Sequence, residues 1–161
     1  IQKFDPAGNY VSQWGSHGSE PGSFLRPQSL AIDRDDHLWV ADVSNHRLQV
    51  FDLAHDPPQL VRVWGEQGAD PGQFSYPNSV WVEEKDEGRV WVCDMGNHRI
   101  QAFTKQGQWL GAWGGPGRLT GEMYQPWALA LDSRGAVHVL DTYNHRVQRW
   151  EPAIASSQKR E

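Results

Sequence analysis

The stretch Asp42-Val43-Ser44-Asn45-His46-Arg47-Leu48-Gln49-Val50-Phe51 returns as Asp94-Met95-Gly96-Asn97-His98-Arg99-Ile100-Gln101-Ala102-Phe103. It returns again as Asp141-Thr142-Tyr143-Asn144-His145-Arg146-Val147-Gln148-Arg149-Trp150, and the chain opens on the tail of a fourth copy, Ile1-Gln2-Lys3-Phe4. The equivalent positions Ile1, Leu48, Ile100 and Val147 are spaced by 47, 52 and 47 residues. A period of that length marks a solenoid or propeller, whose units bury their apolar faces only against one another.

Outward from this stretch, the rest of the unit repeats too. Trp14-Gly15 matches Trp64-Gly65 and Trp113-Gly114, and Pro21-Gly22-Ser23-Phe24 matches Pro71-Gly72-Gln73-Phe74 and, weakly, Thr120-Gly121-Glu122-Met123. Pro27, Pro77 and Pro126 each precede a short apolar run. The extra residues of the longest unit fall around Asp56-Pro57-Pro58 and within 83–88, at turns, where a repeated unit tolerates insertion.

Each unit predicts four strands. In the first full unit they are Leu30-Ala31-Ile32, Leu38-Trp39-Val40-Ala41, Leu48–Phe51 and Leu60–Trp64, with Tyr10–Trp14 and Trp109–Trp113 as further copies of the fourth. The runs are short, rich in Val, Ile and Trp, and broken by Gly, Asp and Pro. No apolar stripe holds a helical period over ten residues. The second strand is apolar on both faces, Leu38 and Val40 against Trp39 and Ala41, which suits a sheet held between two others. The fold class is all-β.

The triple Asp-x-x-Asn-His-Arg followed by an apolar-Gln-x-aromatic segment resembles the NHL-repeat family, with Arg as the third residue of the family's signature. The resemblance reaches Trp150 and implies a β-propeller of six blades, about three of which are present. The expected organisation is a propeller segment over 1–150, comprising a partial blade 1–15 and blades of about 16–65, 66–114 and 115–150. A polar tail follows at 151–161. Strand counting gives 13 strands, so the expectation is the C-terminal half of a ring with a cut N-terminus; the alternative is two chains closing one ring.

Three copies of Asn-His-Arg point to a role repeated in every blade. Asp42, Asn45, His46 and Arg47, with Asp94, Asn97, His98 and Arg99 and with Asp141, Asn144, His145 and Arg146, are therefore read as structural. Each Asp is expected to pair with an Arg, and Asn and His to bond turn backbone. Equivalent His positions on different blades lie too far apart to share a metal.

Composition bounds the rest. The chain has 161 residues, a formal charge of −5, nine tryptophans and one cysteine, Cys93. Cys93 takes the place of Ala41 and Leu140, so a buried apolar thiol is expected. Trp14, Trp64 and Trp113 are repeat-equivalent and read as core. Trp81 and Trp127 depart from the repeat, replacing Ala31 or Ala130 and Gln28 or Asn78.

A propeller places the loop leading into each first strand, and each second-to-third-strand turn, at one end. That end should carry Gln28, Asn78 and Trp127 near the channel, with Ser44, Met95 and Tyr143 further out. The opposite end carries charged turns at Asp33–Asp36, 83–87 and Asp132–Arg134, expected to be solvated like the loop residues His17, His37 and His55.

The segment Ile1–Leu30 also resembles the peptidyl-hydroxyglycine amidating lyases. That resemblance would imply zinc held by a His directly after each strand-starting Pro and a catalytic Tyr near Tyr143. Gln28, Asn78 and Trp127 stand where the zinc histidines would be, so no metal or cofactor is assigned and the reading leans away from an enzyme. The expected function is a non-catalytic protein-interaction or scaffold module. Its candidate binding residues are Gln28, Asn78, Met95, Trp127 and Tyr143, and its partner is another protein or the remainder of its own propeller. The alternatives are a lyase whose metal site lies elsewhere in the ring, and RNA binding. The latter is disfavoured by an acidic chain with scattered Lys and Arg. No membrane span is readable, and no compartment is assigned.

Overall fold

A computed structural model describes residues 1–85 and 88–151. Two residues of the 83–87 turn and all but the first residue of the 151–161 tail lie outside them.

Among the described residues, thirteen strands form four antiparallel sheets. The first sheet pairs β1 (Gln2–Phe4) with β2 (Tyr10–Gln13). The first full blade is β3 (Pro27–Ile32), β4 (His37–Asp42), β5 (Arg47–Asp52) and β6 (Gln59–Trp64), in that spatial order. The second is β7 (Pro77–Glu83), β8 (Arg89–Asp94), β9 (Arg99–Thr104) and β10 (Trp109–Gly114). The third is β11 (Ala128–Leu131), β12 (Val137–Asp141) and β13 (Arg146–Trp150). The innermost strands β3, β7 and β11 lie against one another in that sequence, so the blades radiate from a common axis. This is a β-propeller sector.

The blades are glued by apolar faces. Trp39, Ala41, Leu48 and Val50 of the first blade meet Val80, Val90, Val92 and Phe103 of the second. Trp91, Cys93, Ile100 and Ala102 of the second meet Leu129, Val137 and Val139 of the third. The middle blade is covered on both sides, and its inner strand β7 is largely buried where β3 is largely exposed. Cys93 is fully buried; its thiol donates to the Pro126 carbonyl at 3.1 Å, and burial pushes its pKa up.

Trp14, Trp64 and Trp113 are equivalent in position, each packed against the following blade. They are half-buried rather than deep core. They end the outermost strand, where one ring edge meets water. The Gly after each is required by shape. Gly15 and Gly65 have φ of +83° and +92°, and a Cβ there would run into the rings of Phe24 and Phe74.

The charged turns are less solvated than charge alone suggests. Asp33 and Glu83 are buried, accepting the indole N–H of Trp39 at 3.0 Å and of Trp91 at 3.2 Å. His37, expected in a solvated loop, begins β4 and is half-buried, with Nδ1 3.4 Å from Asp33.

Candidate functional site

Each Asp-x-x-Asn-His-Arg stretch forms a single 3-10 turn that ends on the His in a left-handed conformation, at φ 54°, 56° and 53° for His46, His98 and His145. The preceding Asp is the hub. In the first blade, Asp42 Oδ1 accepts from the Leu25 N–H at 2.7 Å, and Oδ2 accepts from Asn45 at 2.8 Å, Arg47 Nε at 2.8 Å and Gln49 at 3.0 Å. Asp94 and Asp141 bind Asn97, Arg99 and Gln101, and Asn144, Arg146 and Gln148, in the same way. Each Arg then donates its remaining N–H groups to the loop crossing from the preceding blade. Arg47 reaches the carbonyls of Ser19, Glu20 and Ser23. Asn45 reaches the Gly18 carbonyl at 3.0 Å.

Burial dominates the Asp94 carboxyl and raises its pKa despite these donors. At Asp141 burial also opposes ionisation, but the Tyr124 N–H, Asn144 and Arg146 outweigh it and the pKa is lowered. The third blade has no neighbour on its outer side among the described residues, so its Arg–Asp pair is less desolvated.

The histidines face the other way. His46 Nδ1 accepts from the Tyr76 N–H at 3.1 Å, and His98 Nδ1 from the Gln125 N–H at 3.0 Å. Both donors sit in the next blade, just before its strand-starting Pro, in left-handed backbone at φ 51° and 49°. The Asp, Asn and Arg thus hold the incoming loop, and the His holds the following blade.

With these groups committed, the end that carries the turns is defined by what remains. Tyr76, Tyr124, Trp127 and Tyr143 are 40%, 42%, 43% and 54% exposed. Tyr76 stands edge-on to His46 with centroids 4.6 Å apart, Tyr124 stacks on His98 at 5.1 Å, and Tyr143 meets Tyr124 edge-on at 5.9 Å. Nearer the axis, with its amide turned so that the oxygen faces Arg26, Gln28 accepts from Arg26 at 2.7 and 2.8 Å and donates to Asn78 Oδ1 at 3.1 Å. Asn78 Nδ2 donates to Met95 Sδ at 3.3 Å, and Asn78 is only 3% exposed. Gln28, Asn78 and Met95 therefore come together, with Asn78 beneath the surface, while Trp127 and Tyr143 stand out from it. Tyr76, Tyr124 and Arg26 belong to the same end and escaped the sequence reading. They too depart from the repeat, Tyr124 standing for Leu25 or Ser75 and Tyr76 for Arg26 or Gln125, so the same criterion could have found them.

No zinc chemistry is derived from the positions after the strand-starting prolines. The Gln28 and Asn78 amides are engaged with each other and with Arg26 and Met95, and indole offers no metal ligand. At the opposite end Asp33, Asp35 and His37 lie within 4.8 Å of one another. The Lys105 ammonium already fills the place of a cation there, 3.5 Å from Asp33, 3.3 Å from Asp35 and 3.1 Å from Glu84. Burial works against that charge, but the hydrogen bonds it donates to Glu84 and Asp35 prevail and raise its pKa. The network ties the first blade to the second. Two shallow clefts, of about 240 and 260 Å³, are smaller than an ordinary small-molecule site.

Fold and site together define a β-propeller whose blades are joined by a repeated Asp-Asn-His-Arg latch. The chain carries NHL repeats: a sequence profile of the NHL repeat matches residues 24–51 and 123–150. The chain is 35% identical to mouse (Mus musculus) NHL repeat-containing protein 3 over 122 residues, covering 70% of this chain and 34% of that protein. It is 45% identical to rat (Rattus norvegicus) peptidylglycine alpha-amidating monooxygenase over 56 residues, covering 32% of this chain and 6% of that one. It thus spans about a third of the first relative and far less of the second. An auxiliary nutrient binding protein from Bacteroides ovatus shares the fold with a TM-score of 0.68 at 17% identity, over 93% of this chain and 43% of that chain.

Proposed function

We propose that the chain is a non-catalytic protein-interaction or scaffold module, built on a propeller segment over 1–150 and working through the end that carries Gln28, Met95, Trp127 and Tyr143. The carrying observation is the exposed aromatic group there, Tyr76, Tyr124, Trp127 and Tyr143, over a frame whose polar groups are spent on internal bonds. Aromatic bodies beside amide and guanidinium groups are the composition of protein recognition surfaces. A net charge of −5 argues against a phosphate track.

The similarity to the amidating monooxygenase favours one second reading, a lyase. It is weakened by Gln28, Asn78 and Trp127 at the positions where zinc imidazoles would be required.

The test is cross-linked capture from a lysate with the immobilised chain, comparing the Trp127→Ala/Tyr143→Ala double variant with Arg134→Ala at the opposite end. Proteins held by wild type and Arg134→Ala should be lost by the double variant at an unchanged melting midpoint. If the double variant cannot fold, Trp127 plugs the channel and the surface is rejected.

A further inference from the structure

Two neighbouring N–H groups hold the segment entering an inner strand, and they bond to two different blades. At the second blade, the Ser75 N–H goes to Asp94 Oδ1 of the same blade at 2.7 Å, and the next N–H, of Tyr76, goes back to His46 Nδ1 of the first blade at 3.1 Å. At the third blade, the Tyr124 N–H goes to Asp141 Oδ1 at 2.8 Å and the Gln125 N–H goes back to His98 Nδ1 at 3.0 Å. Both joints lie inside the sector, between the first and second and between the second and third blades.

An accepted bond at Nδ1 fixes the charge of the ring. The proton of a neutral imidazole then sits on Nε2, and a protonated ring has no lone pair left at Nδ1. In acid, N–H would face N–H at both joints. The aromatic contacts do not make up for this. A charged imidazole is attracted to a tyrosine ring, and Tyr76 and Tyr124 lie 4.6 and 5.1 Å from His46 and His98 between centroids. That attraction supplies no acceptor for a backbone N–H.

The choice of residue points the same way. His46 and His98 are in left-handed backbone, which Gly and Asn adopt most readily. An Asn carries its Oδ1 on Cγ, the atom that carries Nδ1 in His, so Asn would serve both the backbone and the bond. What His adds is a ring for the tyrosine and a charge that changes between about pH 5 and 8. The charged groups facing His46 are Asp94 of the second blade, which favours the protonated ring, and Asp42 and Arg47 of its own turn, paired with each other at 2.8 Å. Burial outweighs Asp94 and lowers the His46 pKa. At His98 the corresponding groups are Asp141 of the third blade and the Asp94–Arg99 pair of its own turn, also at 2.8 Å.

We propose that His46 and His98 are acid-released latches between consecutive blades: protonation at Nδ1 breaks the bond to the Tyr76 or Gln125 N–H, frees the segment entering the next inner strand and unseats Tyr76 and Tyr124 at the aromatic end. The latch holds while the rings are neutral. It weakens as pH falls through the ordinary imidazole value of about 6.5, because the open joint takes up a proton that the closed joint excludes. At about pH 5 an imidazole of that value is about 97% protonated, so a joint that closes only on the neutral ring opens about 30 times more readily than at about pH 7.5. The device lies in the blade joints, so it stands whether or not the aromatic end binds a protein.

The test is amide hydrogen exchange, followed by NMR on the full chain at about pH 7.5 and about pH 5 and expressed as protection factors so that the intrinsic pH dependence of exchange cancels. Protection of the Tyr76 and Gln125 N–H groups should fall in acid, by up to about 30-fold. In His46→Asn, Tyr76 should keep its protection at both pH values while Gln125, still on His98, stays acid-sensitive; His98→Asn should do the converse. Asp94 and every other carboxyl are unchanged in these variants, so acid sensitivity that arises from them survives the substitution. Equal protection of Tyr76 at both pH values in wild type overturns the proposal. So does a fall that His46→Asn leaves undiminished, which would assign the sensitivity to Asp94. If the variants fail to fold, wild type decides alone. Its ring-nitrogen shifts at about pH 7.5 should place the His46 and His98 protons on Nε2, and these shifts should move on acidification together with the Tyr76 and Gln125 amide signals. A proton on Nδ1 at about pH 7.5, or amide signals that do not follow the rings, overturns the latch.

Discussion

At the scale of the residue, the repeated motif divides labour by hydrogen-bonding capacity. A carboxylate accepts from several directions at once, and Asp94 uses this to collect Ser75 N–H, Asn97, Arg99 and Gln101 within 3.1 Å. Arg99 brings its five donors and sends the rest to Ala69, Asp70 and Gln73 carbonyls. A His tolerates left-handed backbone better than most residues, and a neutral ring leaves Nδ1 free to accept from the next blade. Asp94→Ala removes the hub, strands the Arg99 guanidinium and frees the 65–75 loop. The expected loss is about 1–3 kcal/mol of unfolding free energy, read as a lower urea midpoint. An unchanged midpoint would mean the hub contributes nothing and the Arg satisfies itself in water. The pairing of acid with base was legible from their constant spacing. The direction of the His bond was not, because its partner is a backbone N–H of another blade and leaves no trace in residue identity.

At the scale of the element, each blade is specified by short apolar runs and by the Trp-Gly that ends its outer strand. Strand number and order were readable, because alternation and turn residues act locally. The half-burial of Trp14, Trp64 and Trp113 was not, since it depends on where the ring edge meets water. The buried Asp33 and Glu83 were also hidden. A charged turn reads as solvated until an indole N–H from the same sheet is found beneath it. The Gly in Trp-Gly makes the sharpest element-level demand. Gly65 combines φ +92° with the Phe74 ring lying where a Cβ would be, whereas Gly8 at φ +85° has open space. Gly65→Ala therefore carries a steric cost beyond the left-handed backbone cost common to both. It should destabilise by about 1–3 kcal/mol, and clearly more than Gly8→Ala, in paired urea titrations. Equal losses would show that Phe74 moves aside freely and that the Trp-Gly corner is not what seats it.

At the scale of the whole molecule, a propeller sector has a middle and two flanks, and stability should follow that order. Repeat proteins behave as a line of units, each stabilised by its neighbours. The second blade has a neighbour on both faces: Val90, Val92 and Phe103 pack against the first blade, and Trp91, Cys93 and Ile100 against the third. The first blade leaves Leu30 and Ile32 exposed, and the third leaves Leu140 and Val147 exposed. Local opening costs least where the least apolar surface is covered. Hydrogen exchange should therefore rank β8 and β9 slowest. β13 and the β1–β2 pair should be fastest, with β3 exchanging ahead of β7 although the two strands are equivalent in sequence. That last comparison is the decisive one, because it holds strand position in the blade constant while β7 has a blade on both sides. If β3 and β7 exchange at the same rate, coupling between blades is too weak to matter, and each blade stands on its own hydrogen bonds.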